Sequence, residues 1–261
     1  MLNRFKLQHL IKSTILFCLL FPLLGFGQSL VSDGGFENIT NLPKAHDRQI
    51  SPYMSLEKWI PVIRKTESPS VMHPKIIKWY KLVDQNFNPK KYSFYGNFPP
   101  KSGKGFVGIS IYHTEHPKGL KYYTRSYIQT KLNSKLKKGT TYHFEMWVRT
   151  SNESSKYFSS GLGVNLTDSI ISYGIGNLKE HYYIGAKPQI RCDSIISNTT
   201  EWNKVEGNFT AKGGEQYLTI GNFSPDSNLS LIENENFIRV DEMAFKAKIF
   251  IDEISLTELN K

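Results

Sequence analysis

Apolar and polar side chains alternate along this chain with a period of two residues, and this feature limits the fold more than any other. The alternation is clearest in residues 140–150, where Tyr142, Phe144, Met146 and Val148 alternate with His143, Glu145, Trp147 and Arg149. Because successive side chains of a β-strand point to opposite faces of the sheet, the pattern predicts a strand with one face in the core.

Similar short runs continue to the end of the chain, separated by turns that contain Gly, Asn or Pro. They lie at residues 104–112, 122–132, 162–166, 205–209, 218–220 and 249–256. Short alternating strands of this kind are typical of an antiparallel β-sandwich, and no segment has a convincing helical stripe. The sequence therefore predicts an all-β fold.

Residues 38–103 differ from the rest, because they hold eight of the twelve prolines together with many aromatic residues. Only short strands are predicted there, around Trp59 and over residues 76–82. We interpret the region as a long excursion packed over the sandwich, and long ordered loops often carry function. No repeat or linker divides the chain, so residues 28–261 are predicted to form a single domain.

Residues 1–27 have the order of a secretory signal peptide. Cationic side chains precede an apolar run at residues 15–24, and Gly25 and Gly27 are small residues just before Gln28. The pattern predicts export to the periplasm, the outer-membrane surface or the extracellular space. The run is shorter than the roughly 20 apolar residues of a spanning helix, so no membrane span is expected.

The net charge of the chain bears on the class of partner that it could bind. The formal net charge is +10, and it falls to +7 without the three cations of the signal peptide. The lysines are dispersed, which together with export argues against nucleic acid as a partner.

Cys192 is the one cysteine of residues 28–261, and its sequence neighbours include no histidine. No internal disulfide is expected, and a structural thiol is predicted.

Several segments follow one another in an order that resembles a known family. They are LVSDGGFE at 30–37, Trp59 with Pro61, PPKSGKGFVGI at 99–109, YIQ at 127–129, LKKGTTY at 136–142, 202–209, 214–223 and FIDEISL at 250–256. The series resembles the galactose-binding-like jelly-roll domain of carbohydrate-binding modules. More narrowly, it resembles the exported domain that precedes OmpA-type domains in bacteria with type IX secretion. The resemblance implies an antiparallel jelly-roll β-sandwich, although a fold does not by itself define a ligand.

The same resemblance implies a structural calcium ion. Related jelly rolls often hold one between the segment after the first strand and the last strand. The matching positions are Glu37 and Asp252, with the backbone carbonyls near Gly103 and Lys104, and Asp33 is a further candidate ligand. These are the hard oxygen ligands that Ca²⁺ prefers. The alternative is that Glu37 and Asp252 accept hydrogen bonds from loop amides.

The polar side of the strand at 140–150 is the predicted ligand surface. Its candidates are His143, Glu145, Trp147 and Arg149, with Tyr112 on a neighbouring strand. A sugar ring stacks its C–H face on an aromatic plane, while charged side chains bind the hydroxyls. The alternative is that the excursion at 38–103 covers this face and makes Trp147 part of the core.

Enzyme signatures are missing from the sequence, which has no Gly-x-Ser-x-Gly, His-Glu-x-x-His or P-loop motif. His113 and His116 flank Glu115, but a transition-metal site needs a further ligand and a rigid frame. We therefore predict a non-enzymatic binding module for a glycan of the envelope or the environment. The alternatives are an assembly subunit that docks on other envelope proteins, and a hydrolase with carboxylates converging in a cleft.

Overall fold

The structure, a computed structural model, describes residues 27–40, 42, 56–62, 69–83, 98–113, 125–172, 183–238 and 246–259. Nearly all of the predicted signal peptide lies outside these ranges, as do Glu115 and His116. In the described residues, no helix is both long and apolar enough to cross a bilayer.

Two five-stranded antiparallel sheets pack face to face. The first sheet has the order β1-β4-β10-β7-β8, and the second has the order β2-β3-β12-β5-β9. The strands of the first sheet are β1 (Trp59–Pro61), β4 (Ile128–Lys131), β7 (Leu162–Thr167), β8 (Ile190–Cys192) and β10 (Tyr217–Asn222). Those of the second are β2 (Ser70–Met72), β3 (Phe106–His113), β5 (Thr141–Arg149), β9 (Asn203–Thr210) and β12 (Lys246–Glu258). A small ribbon of β6 (Tyr157–Ser159) and β11 (Leu231–Glu233) completes the strands of the described chain.

This architecture confirms the predicted fold class, an antiparallel jelly-roll β-sandwich. The core lies between the sheets, where Phe144 and Met146 of β5 are fully buried and Leu218 and Ile220 of β10 are fully buried opposite them. Burying such a side chain contributes about 1.5–3 kcal/mol. A shift of one residue in strand register would expose the whole apolar set, so the alternation in the sequence fixes which face of β5 points outward.

The described parts of residues 38–103 are built into the sandwich as well as packed over it. Strand β1 pairs with β4 at the edge of the first sheet, and β2 pairs with β3 at the edge of the second. The region therefore extends both sheets, which short, proline-limited strands at sheet edges can do.

The strand predicted over residues 76–82 is wrong, because these residues belong to a helix, α1 (Pro74–Val83). Ile76 and Trp79, three positions apart, turn to the protein interior. Pro74 occupies the first helical position, where its missing N–H is no loss. Nδ1 of His73 accepts a hydrogen bond from the Lys75 amide at 3.2 Å and so satisfies a free donor of the first turn.

Candidate functional site

The outward side of β5 and β9 carries a row of polar and aromatic side chains. His143, Glu145 and Trp147 of β5 lie directly opposite Asn208, Glu206 and Lys204 of β9. The β5 members are half-buried and the β9 members are exposed. We call these six residues the β5–β9 face. It arises because Phe144, Met146 and Val148 fill the core and leave the alternate positions on the outside.

Trp147 is the aromatic platform of this face. The Nζ atom of Lys101 lies over its ring, 3.7 Å from the centroid. Lys101 is itself exposed and belongs to the loop that leads into β3. A cation–π contact at an exposed site contributes about 0.5–1 kcal/mol, so the ammonium group is a weakly held cover. In the described part of 38–103 the excursion therefore reaches Trp147 without burying it fully.

A charged cluster lies beside Trp147. Nδ1 of His143 is 2.7 Å from Oδ1 of Asn208, and Nε2 is 3.8 Å from Oε2 of Glu145 and 3.6 Å from Oε2 of Glu206. Nζ of Lys204 is 2.7 Å from Oε2 of Glu206 and 3.7 Å from Oε2 of Glu145. The hydrogen bond from Lys204 lowers the pKa of Glu206 and raises that of Lys204. Ligand atoms of His143, Glu145 and Glu206 all lie within 4.8 Å of one another.

Arg149 lies on the same side of β5 but is covered. It is only 6% exposed, and Cζ lies 3.6 Å from the centroid of the Phe98 ring. Its guanidinium donates to the carbonyl of Thr199, and burial lowers its pKa. Phe98 also contacts a larger aromatic cluster that includes Phe106, Trp202 and Phe250. A ligand would reach Arg149 only after Phe98 moved.

Tyr112 is not brought together with Trp147. It pairs with Ala247 near the start of β12, whereas Trp147 pairs with Asp252 further along the same strand. Its ring makes an edge contact with Tyr157 at 5.9 Å, and burial raises the pKa of its hydroxyl. The structure therefore groups His143, Glu145 and Trp147 and leaves Arg149 covered and Tyr112 apart.

The predicted calcium ligands meet where the N-terminal segment, the loop before β3 and strand β12 come together. We call Asp33, Glu37, Asp252 and Glu253 the acidic junction. Oε1 of Glu37 accepts hydrogen bonds from the amides of Lys104 at 2.5 Å and Gly105 at 2.9 Å. Oδ1 of Asp33 accepts one from the Glu37 amide at 2.7 Å. The hydrogen-bonded alternative considered for Glu37 is thus formed.

Asp252 is the most unusual member of the junction. Its Oδ2 accepts hydrogen bonds from the amides of Lys101 at 2.8 Å and Ser102 at 3.3 Å. The side chain is completely buried. Burial outweighs these hydrogen bonds and raises its pKa to about 7. The hydrogen-bonded alternative considered for Asp252 is thus formed as well, and the amide of a second acid, Glu253, donates to Oδ1 at 2.8 Å.

The junction gathers acidic side chains, but its carboxylate oxygens do not form a converging set: in the described residues, the group of three ligand atoms within 4.8 Å of one another is that of His143, Glu145 and Glu206. A Cβ atom at Gly35 would lie 3.1 Å from Oε1 of Glu253, 3.8 Å from Oδ1 of Asp252 and 3.8 Å from Cγ of Glu37. Two carboxylate oxygens, from Glu253 and Asp252, therefore lie near one point of the backbone, while Glu37 approaches it through a methylene group and directs Oε1 to the Lys104 and Gly105 amides. The roles of Gly103 and Lys104 as carbonyl ligands, and of Asp33, stay predictions.

Close contacts at the acidic junction require glycine at two positions, Gly34 and Gly103. A Cβ at Gly34 would stand 2.0 Å from the carbonyl oxygen of Ile254, so the N-terminal segment could not approach β12 with any other residue. Gly103 has a φ of +59°, and a Cβ there would lie 2.3 Å from Oε1 of Glu37. The DGG and SGKG motifs thus serve the close contact of backbone with backbone and with carboxylate.

Cys192 is a free, half-buried thiol on β8. Sγ lies 3.7 Å from the carbonyl oxygen of Ser194, and burial raises the pKa of the thiol. A raised pKa keeps the group protonated, which is the opposite of the activation that a nucleophile needs.

The sequence analysis did not identify three members of the β5–β9 face, Lys204, Glu206 and Asn208, or the loop residue Lys101 that lies over Trp147. The β9 residues alternate with Val205 and Phe209, which were recognised as a strand, so their outward direction was readable. Their position opposite Glu145 and His143 was not, because it depends on a pairing between segments about sixty residues apart.

No family model matches this chain, and no curated protein matches it. Among solved structures, it is similar to the CBM22-1 xylan-binding domain of Paenibacillus barcinonensis Xyn10C, with 13% identity, a TM-score of 0.43, and coverage of 90% of this chain and 97% of that one. The K1 cleaved adhesin domain of Lys-gingipain from Porphyromonas gingivalis W83 has 11% identity, a TM-score of 0.41 and coverage of 87% and 96%. TmCBM61 in complex with β-1,4-galactotriose has 13% identity, a TM-score of 0.37 and coverage of 89% and 99%. Similarity at this level assigns neither a family nor a ligand.

Proposed function

We propose that this protein is an exported, non-enzymatic binding module that recognises a glycan of the cell envelope or the environment through its β5–β9 face. The observation that carries the proposal is the placement of Trp147. Its side chain is half-buried on the outward side of β5, with the hydrogen-bonding side chains of His143 and Glu145 along the same strand. An aromatic plane beside polar groups suits a sugar ring, which has an apolar C–H face and a rim of hydroxyls.

Binding requires that Lys101 leave the face of the Trp147 ring. Only its side chain has to move, because its backbone amide stays bound to Oδ2 of Asp252 at 2.8 Å. The loop is thereby held in place while the ammonium group is free to move off the ring. A pre-formed loop with one mobile side chain keeps the ordering cost of binding low.

The same proposal includes a structural calcium ion at the acidic junction. Glu37 and Asp252 would hold it, with Asp33 and the carbonyls near Gly103 and Lys104 as further oxygen ligands. The ion would fix the loop that carries Lys101 against β12. It is thus a support for the ligand face and takes no part in sugar contact.

A glycan array with wild-type and variant protein tests the proposal. Trp147→Ala should weaken binding of every glycan that the wild type captures by at least tenfold, because stacking of the sugar on the ring is lost for each of them. The matched control is Tyr217→Ala, which removes a half-buried aromatic side chain from the first sheet. The control should retain affinity.

Thermal melting of the same variants separates a ligand platform from a core residue. A fully buried Trp would cost about 3–5 kcal/mol of stability on truncation to Ala, whereas a ligand-facing Trp costs little. Unchanged glycan affinity in Trp147→Ala, or a loss of stability in that range, would contradict the assignment.

Two other functions have less support. Docking on an envelope protein would need an apolar patch, and the large apolar side chains exposed in the described part of 38–103 are Leu42, Ile60 and Leu82. Scattered exposed hydrophobics are ordinary on protein surfaces. For a hydrolase, Glu145 and Glu206 are close enough to act as a carboxylate pair, but they lie side by side on adjacent strands and do not face each other across a cleft.

A further inference from the structure

The imidazole of His143 is oriented with one nitrogen toward two carboxylates. Oδ1 of Asn208, an amide oxygen that can only accept, lies 2.7 Å from Nδ1, and this contact suits the neutral tautomer with the proton on Nδ1. In that tautomer Nε2 directs its lone pair toward Glu145 at 3.8 Å and toward Glu206 at 3.6 Å. A lone pair and two carboxylates that converge on one point form a set of three electron-pair donors.

The pairing of the strands brings two carboxylates and one ammonium group together, which leaves an excess of negative charge. Glu145 and Glu206 lie directly opposite each other, and like charges in that position destabilise a sheet. Lys204 offsets one of the two negative charges. With an uncharged imidazole the four side chains still carry a net charge of about −1. The cluster therefore has both the ligands and the charge for a further cation.

We propose that His143, Glu145 and Glu206 bind a Zn²⁺ ion on the β5–β9 face, with water in the remaining position. Zinc accepts nitrogen and carboxylate ligands at about 2.0–2.2 Å, which places neighbouring ligands of a tetrahedron about 3.3 Å apart. The observed separations of 3.8 Å and 3.6 Å from Nε2 need shortening by only a few tenths of an ångström. Asn208 is a positioning residue that sets the tautomer of the ring.

Zinc fits this set better than calcium does. Calcium takes six to eight oxygen ligands, whereas this cluster offers a nitrogen and two carboxylates. The three ligands lie on paired strands and not on loops, which limits how far they can drift from one another. Lys204 competes with the ion, since its Nζ now lies 2.7 Å from Oε2 of Glu206.

Isothermal titration of Zn²⁺ into the purified protein at neutral pH tests the proposal. The chain has seven histidines, so the site is identified by its variants and not by binding alone. His143→Gln and Glu206→Gln should each weaken the tightest binding event at least tenfold, and Asn208→Ala should weaken it about tenfold. Lys204→Gln should strengthen it severalfold, because the competing ammonium is removed.

Glu233→Gln is the matched control, since Glu233 is also an exposed acid paired with a lysine, Lys156. It should leave the affinity unchanged. The visible spectrum of the Co²⁺-loaded protein gives a second readout: bands of four-coordinate cobalt should appear in the wild type and vanish in His143→Gln. Absence of zinc binding, or equal affinity in the wild type, His143→Gln and Glu206→Gln with melting curves unchanged, would overturn the assignment.

Discussion

The buried carboxyl group of Asp252 should make the stability of this protein depend on pH in an unusual direction. Its pKa is raised from 3.8 to about 7 in the folded protein. Between these values the folded protein keeps a proton that the unfolded chain has released, so stability falls as pH rises through this window. A shift of about three pKa units corresponds to roughly 4 kcal/mol, lost by the time the pH exceeds 7. Most carboxylates give the opposite trend, because pairing lowers their pKa.

Urea unfolding of the wild type and of Asp252→Asn, followed in chelator from about pH 4 to about pH 8, measures this effect. The amide does not titrate, so the difference between the two curves isolates residue 252 from the other acids. We expect the wild type to lose up to about 4 kcal/mol relative to Asp252→Asn across the window. Parallel curves would refute the reasoning, because they would show that Asp252 ionises normally.

Calcium should offset the loss of stability that occurs as the pH rises. An ion bound to the folded state alone stabilises it by about 2.7 kcal/mol at a hundredfold excess over its dissociation constant. The gain should be largest above pH 7, where the Asp252 carboxylate is ionised, and should be absent in Asp252→Asn. If added calcium and chelator give the same unfolding curve for the wild type at every pH, the junction is held by hydrogen bonds alone.

The remaining predictions concern the loop, the junction and export. Lys101→Ala should raise glycan affinity about two- to fivefold, because the cation–π contact that it removes contributes about 0.5–1 kcal/mol. An unchanged or lower affinity would contradict this prediction and show that Lys101 contacts the ligand. Gly34→Ala should lower the free energy of unfolding, measured by urea titration, by about 1–3 kcal/mol, because its Cβ would stand 2.0 Å from a carbonyl oxygen. The control is Gly185→Ala, which should have little effect because the nearest neighbour of its Cβ lies at 4.0 Å. The exported protein should begin at Gln28, and intact mass spectrometry that finds Met1 retained would contradict the signal peptide.

The fold was predictable wherever one strand face is buried. In β5 the core residues Phe144 and Met146 alternate with outward residues, and the strand was expected within a residue of its observed bounds. Helix α1 was not recognised, because its ten residues are rich in β-branched and aromatic side chains that also suit a strand. The spacing of Ile76 and Trp79 and the proline at its first position were the usable signals.

The candidate site was predictable only in part, because alternation gives the direction of a side chain but not its neighbours. His143, Glu145 and Trp147 were placed on the outer face from their own strand. Arg149 is covered by Phe98, a loop residue about fifty positions earlier, and no local sequence pattern predicts this contact. Strand pairing likewise decides that Glu206 stands beside Glu145. Long-range strand pairing, and not local propensity, therefore decides which polar side chains become neighbours.

The β5–β9 face and the acidic junction were expected as separate sites, and the structure makes them neighbours. Asp252 pairs with Trp147 across β12 and β5, and Lys101 touches both, with its amide on the carboxylate and its ammonium over the ring. An ion that fixes Asp252 would therefore also fix the origin of the Lys101 side chain. Calcium should then change glycan affinity in the wild type but not in Lys101→Ala, where the connecting side chain is gone. A calcium effect of equal size in both proteins would show that the junction supports the face by some route other than Lys101.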